Sequence, residues 1–184
     1  MKDRLLKERC LRLKLILSDV DGVMTDGSIF ILASGEEARV FNVRDGYGVI
    51  LAHAAGIETG IITGRSSATV SERANMLKMR VVKQGSMDKI RAFEEILVET
   101  KLEPHEVAYI GDDYPDLPVL QRVGLSAVPA DAPIALKNAA FMVLDKPGGR
   151  GALREFIEAI LRARGALAPT LRSLGIEVDD EDDD

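Results

Sequence analysis

The chain has 184 residues, enough for one domain with a substantial core, and 46% of them are hydrophobic, which excludes a disordered polymer. Its net charge of −6 gives no support to nucleic-acid binding, which calls for a basic surface. No apolar run reaches the roughly 18–20 residues of a membrane helix. The single Cys10 can form no internal disulfide, as expected for a reducing, cytoplasmic setting.

Residues 1–12 read as a polar lead-in or short helix without the cleavage site of a signal peptide. LKLILSD is a short apolar strand. GSIFILASGEEARVFNV holds two apolar segments around Ser34-Gly35-Glu36, which predicts a β-hairpin at about 27–43. GYGVILAHAAG predicts a helix closed by Gly56. TGIIT is a second strand, and SSATVSERANMLK a helix opened by Ser66 or Ser67. RVVKQ, VAYIGDD, LSAVP and FMVL continue as strands. They alternate with helices in MDKIRAFEEILVETK, DLPVLQRVG, APIALKNAA and GALREFIEAILRARG.

Short strands that are apolar throughout, each followed by an amphipathic helix, predict an α/β fold: a Rossmann-like parallel sheet with helices on both faces. That domain is expected over 13–164, with the hairpin as a flap and no cap domain. Residues 165–184 are expected to be a tail, acidic at 177–184.

In such a sheet ligands bind beyond the carboxyl ends of the strands. The first strand ends in Ser18-Asp19-Val20-Asp21-Gly22, the second in Thr63-Gly64-Arg65 and the fourth in Gly111-Asp112-Asp113, while Lys89 opens the helix after the third. Asp19 and Asp21 would share a face, and carboxylates that close repel in a low-dielectric site unless a cation lies between them. An all-oxygen set favours Mg²⁺, and Lys89 and Thr63 suit a phosphate. Asp19 is then placed to attack phosphorus, and Asp21 to act as acid and then base. A phosphoacceptor receiver domain uses similar parts for signalling, but it carries an adjacent acidic pair at the first strand and has no such hairpin.

DVDGVMTDG, IITGR, Lys89 and GDDYPD together resemble the haloacid dehalogenase superfamily of phosphotransferases. FNVRDGYG, ADAPIALKNAA and GGRGALRE extend the likeness, from about Leu13 to Arg164, to the 3-deoxy-D-manno-octulosonate 8-phosphate (KDO 8-phosphate) phosphatase family. The resemblance implies a capless, homotetrameric hydrolase that forms KDO and phosphate in lipopolysaccharide precursor synthesis, with Leu167 to Ile176 as candidates to close the site of a neighbouring copy. It implies Asp19 as nucleophile and metal ligand, and Asp21 as acid/base with its backbone carbonyl on the metal. Asp112 would complete the protein ligands, with Asp113 and Asp116 behind them. Asn42, Val43, Arg44, Asp45 and Gly46 would face the sugar acid with Asp21 and Lys89, while Arg65 and Arg73 would supply positive charge. Ile50 stands where that family often carries a basic residue, which leaves room for a nonulosonate 9-phosphate substrate.

Overall fold

A computed structural model describes residues 2–178. Helix α1 (Lys2–Cys10) leads into the central strand β1 (Leu15–Ser18), which is followed by the two short hairpin strands β2 (Phe30–Ile31) and β3 (Glu37–Ala38). Then come α2 (Val43–Ala54), β4 (Glu58–Ile62), α3 (Ala68–Met76), β5 (Val81–Lys83) and α4 (Lys89–Thr100). The second half runs β6 (Val107–Ile110), α5 (Leu117–Leu120), β7 (Leu125–Val128), α6 (Ile134–Ala139), β8 (Met142–Val143), α7 (Ala152–Ala163) and α8 (Leu167–Ser173).

The main sheet has six strands in the order β5-β4-β1-β6-β7-β8, with every pairing parallel. Because both faces are covered, alternate residues of one strand enter different cores. Leu15 and Leu17 of β1 and Val107 and Tyr109 of β6 pack toward α4, α5 and α6. Ile16 of β1 and Ala108 and Ile110 of β6 pack toward α2, α3 and α7. The strands therefore show no polar phase in the sequence. Helix α7 buries Leu153, Phe156, Ile157, Ile160 and Leu161, a stripe at helical spacing that lies against α2.

The N-terminal segment forms the short helix that is one of its two expected forms, and the C-terminal segment is more structured than the sequence suggests. Leu6 and Cys10 of α1 pack on the core. The segment expected to be a tail from residue 165 instead folds back as α8, with Leu167 and Ala168 buried and Leu171 packed on the same core. Only Leu174 and Ile176 keep their apolar surface exposed. Most of the acidic run, residues 179–184, lies outside the described residues.

Candidate active site

Strand β1 sits between β4 and β6, and the chain leaves it toward β4 and returns through β6. That reversal opens a crevice at the carboxyl ends of the two strands. Asp19 follows β1 directly, its backbone N–H donating to the carbonyl of Ile110 at 2.9 Å. The chain then turns tightly, with the Val20 carbonyl accepting the N–H groups of Val23, Met24 and Thr25. Val20, Val23 and Met24 go into the core, and the polar residues between them are left at the crevice.

Asp19 is 7% exposed; its Oδ1 accepts the Val20 N–H at 2.7 Å, and its Oδ2 lies 2.9 Å from Lys89 Nζ. Lys89 is the first residue of α4 and also donates to Asp116 Oδ1 at 2.6 Å. Asp116 is fully buried and acts as a hub. Its Oδ1 takes the Tyr109 hydroxyl as well, and its Oδ2 takes the backbone N–H groups of Asp112 (3.1 Å) and Asp113 (3.2 Å). Asp112 arrives over Gly22, whose φ is +96° and where a Cβ would lie 2.0 Å from Asp112 Oδ2. Both the backbone conformation and the space demand glycine there.

Oxygens of Asp19, Asp112 and Asp116 lie within 4.8 Å of one another. Burial raises the Asp19 carboxyl to about 6 although Lys89 opposes the shift. Burial, followed by the charge of Asp19, raises Asp112 to about 8. Lys89 is held charged: burial works against it, but the carboxylates of Asp19 and Asp116 prevail. Asp112 Oδ1 is buried and has no hydrogen-bond partner. A buried acceptor of that kind calls for a ligand, and an all-oxygen set suits a hard dication such as Mg²⁺. Asp116 has four donors on its two oxygens, whereas Asp19 has one on each and Asp112 Oδ1 has none, which makes Asp19 and Asp112 the carboxylates with lone pairs left to ligate.

The pH dependence follows from these shifts. Both carboxyls have folded-state pKa values above 3.8, so the metal-free fold binds more protons than the unfolded chain. These groups therefore make the metal-free protein less stable as pH rises from about 4 through about 8. Mg²⁺ must displace the Asp112 proton below about pH 8 and the Asp19 proton as well below about pH 6, so its affinity is expected to fall by up to roughly tenfold per unit between them and more steeply below. Thermal melts should show a larger Mg²⁺-induced rise in Tm at pH 8.5 than at pH 6. Equal rises would contradict the arrangement.

A cavity of about 270 Å³ is lined by Asp19, Asp21, Thr63, Arg65, Lys89, Asp112, Asp113 and Asp116. Thr63 is held at the end of β4 by its N–H bond to the Lys83 carbonyl. The other sequence candidates lie elsewhere in the single chain. Asn42 caps α2 by accepting the Arg44 N–H, and Val43 and Arg44 are exposed. Asp45 is buried and accepts the N–H groups of Gly151 (3.3 Å) and Arg154 (2.8 Å) at the start of α7. Gly46 lies under Arg73, whose guanidinium donates to the Asn42 carbonyl at 3.3 Å and sits 5.8 Å from the Phe41 ring centre.

The expectation that Asn42 to Gly46 and Arg73 face the same pocket is thus not met within one chain. The reason is that Asn-Val-Arg-Asp-Gly is the cap and first turn of α2, tied by Asp45 to α7, and not a free loop. Phe41 and Asn42 line a separate surface cavity of about 370 Å³ with Asp26, Ser28, Gly149 and Arg150. Asp26 serves its own turn by accepting the Ser28 N–H. Ile50 is exposed on α2, away from the catalytic cavity's lining.

Sequence reasoning missed Arg39 and Tyr109. Arg39 Nε donates to Asp21 Oδ1 at 2.8 Å with the arginine side chain fully buried. Its signal was Glu37 and Arg39 two residues apart on a predicted strand, hence on one face. Tyr109 brings the one side-chain hydroxyl of β6 into the core, and a buried phenol needs an acceptor.

A haloacid dehalogenase-like hydrolase family model matches residues 79–156. The chain is 45% identical over 161 residues to the 3-deoxy-D-manno-octulosonate 8-phosphate phosphatase KdsC of Yersinia pestis, covering 87% of this chain and 86% of that one. A crystal structure of the 3-deoxy-D-manno-octulosonate 8-phosphate phosphatase of Moraxella catarrhalis, in complex with magnesium, phosphate and KDO, superposes with a TM-score of 0.89. Its identity is 34%, over 92% of this chain and 97% of that one. The cobalt-bound Haemophilus influenzae phosphatase gives a TM-score of 0.84 at 37% identity, over 87% and 94%.

Proposed function

Since the chain belongs to the KDO 8-phosphate phosphatase family of haloacid dehalogenase-like hydrolases, we propose that it converts KDO 8-phosphate to KDO and phosphate through an aspartyl-phosphate on Asp19. The observation that carries this reading is the buried Asp19 carboxylate held 2.9 Å from Lys89, beside an Asp112 oxygen with no partner. A carboxylate oxygen of Asp19 attacks phosphorus as the phosphate ester bond breaks, and Asp21 gives its proton to the departing alkoxide. Asp21 then takes a proton from water, whose oxygen attacks phosphorus, releasing phosphate and restoring the Asp19 carboxylate. Lys89 and the Thr63 hydroxyl hold the phosphoryl oxygens where negative charge is concentrated. Asp19, Asp112 and the Asp21 carbonyl would hold Mg²⁺, which would supply positive charge to the crowded carboxylates and the phosphoryl group. Asp116 supports the ligands from beneath, the exposed Asp113 caps the following turn through the Tyr114 N–H beside the cavity, and Arg65 at the rim is available to the sugar acid.

The exposed apolar residues of the hairpin, Phe30, Ile31, Leu32 and Val40, support association with further copies of the chain that cover each hairpin; assembly of four copies, in the cytoplasm, is proposed from the family resemblance alone. A monomer mass in light scattering would end that part of the reading. Ile50 favours weighing a second substrate, a nonulosonate 9-phosphate, but its position outside the cavity lining leaves the octulosonate preferred. A comparison of Mg²⁺-dependent kcat/KM on the two phosphates is expected to favour KDO 8-phosphate by tenfold or more. A preference for the nonulosonate, or for a nucleotide, would reject the assignment. On this reading the product serves lipopolysaccharide precursor synthesis.

A further inference from the structure

We infer that Arg39 is a positioning residue that holds Asp21 for proton transfer, and that the hairpin's role at this site is to deliver it. The inference rests on the acid/base role of Asp21 proposed above. Arg39 immediately follows β3, and the hairpin it belongs to pairs only with itself, in a two-stranded sheet separate from the main one. Its guanidinium nevertheless lies wholly inside the protein, with every nitrogen engaged. Nε donates to Asp21 Oδ1 at 2.8 Å, Nη2 approaches Asp21 Oδ2 at 3.5 Å and Glu37 Oε2 at 3.2 Å, and Nη1 donates to Ser67 Oγ at 3.1 Å. Glu37 passes the chain of alternating charge to Arg65 at 2.5 Å, on the rim of the catalytic cavity.

Ser67 explains its own part in this. It stands at the N-cap of α3 but makes no side-chain cap bond, and its hydroxyl turns to Arg39 instead. The planar guanidinium fixes Oδ1 through Nε with a set direction, which a point charge would not do, and leaves Oδ2, 3.5 Å from Nη2, as the oxygen that carries the proton. Asp21 needs such a fixture. It lies in the turn after β1, outside regular structure, and the carboxylates of Asp19 and Asp112 line the same cavity and repel it. Without Arg39 its side chain is free to swing outward, and a displacement of about 1 Å at a reacting group costs on the order of 10²-fold.

Leaving-group dependence separates positioning from general damage. The sugar alkoxide must be protonated as it departs, whereas p-nitrophenolate leaves without help. The kcat/KM value covers events only through leaving-group departure, so the later use of Asp21 as a base does not enter. In the Mg²⁺-loaded full chain, Arg39→Met is expected to lower kcat/KM on KDO 8-phosphate by about 10²-fold, and on p-nitrophenyl phosphate by less than about fivefold. Arg39→Lys should recover roughly tenfold of the loss. Calorimetric affinity for KDO 8-phosphate in an Asp19→Asn background should change less than about threefold with or without the arginine.

Asp21→Asn is expected to show the same discrimination more strongly. Equal losses on both substrates for Arg39→Met, or a loss confined to binding, would overturn the inference if Asp21→Asn still discriminates. If Asp21→Asn fails to discriminate, the acid/base assignment itself falls. Should Arg39→Met not fold, Arg39→Lys and Glu37→Gln carry the test, with a selective loss supporting the inference and a uniform one refuting it.

Discussion

Asp19→Asn is expected to reduce turnover of KDO 8-phosphate by at least about 10⁴-fold while the protein stays folded and melts no lower than the parent without metal. The kinetic part follows from the nucleophile's role. An amide oxygen cannot form the aspartyl-phosphate, and the remaining groups act on a step that no longer occurs. The stability part runs opposite to the usual effect of altering a buried side chain. The Asp19 carboxyl has a folded pKa raised to about 6 by burial, so its ionisation opposes folding at neutral pH. A neutral amide of the same shape removes that cost and also relieves Asp112. Phosphate release measured beside a thermal melt separates the two. Turnover within tenfold of the parent, with the fold intact, would show that another group attacks phosphorus.

Lys89→Met is expected to impair both chemistry and stability. Lys89 is 5% exposed and bridges Asp19 and Asp116, neither of which has another cationic partner within salt-bridge distance among the described residues. Methionine fills the space but leaves two buried carboxylates facing each other. Breaking a buried ion pair by removing one partner costs about 3–5 kcal/mol, which for a domain of this size is roughly a 10 °C loss in Tm. Loss of the cation beside the transferring phosphoryl group should lower kcat/KM by about 10²–10³-fold. The Tyr109 hydroxyl and two backbone N–H groups still hold Asp116, so the fold should survive. A variant with an unchanged Tm and near-parental kcat/KM would show that the observed bridge does no electrostatic work.

Mg²⁺ alters the balance of both experiments in a predictable direction. In the parent it takes over part of the charge neutralisation that Lys89 provides alone in the metal-free protein. The destabilisation by Lys89→Met should therefore be larger without the metal than with it. Asp19→Asn, which removes a ligand, should weaken Mg²⁺ binding.

The residues at strand ends were legible because sheet geometry sends them to one place. Apolar strands followed by amphipathic helices require a parallel sheet, and a parallel sheet brings the residues after β1, β4 and β6 to a common rim. Asp19, Thr63 and Asp112 meet there with Lys89 for that reason. Within one chain Asn42 to Gly46 form the cap and first turn of α2 and not a loop into the catalytic cavity, because the start of a helix and a loop can share the same residues. Which one forms here depended on Asp45 finding the N–H groups of α7, more than a hundred residues later. The segment from residue 165 is short and weakly periodic and so reads as a tail, yet burial of Leu167 and packing of the partly buried Leu171 hold it as α8.

What the amino-acid order determined by itself was therefore the alternation of elements and, through it, the chemistry gathered at the crevice. Tertiary structure alone decided which supporting groups meet that chemistry: Asp116 beneath Lys89, Gly22 beneath Asp112, and Arg39 clasping Asp21 from a hairpin outside the main sheet. The physical reason is range. A strand's direction fixes its end locally, through backbone pairing and side-chain period. The partner of a buried charge is chosen by the whole fold, because desolvation penalises every arrangement in which that charge is left alone.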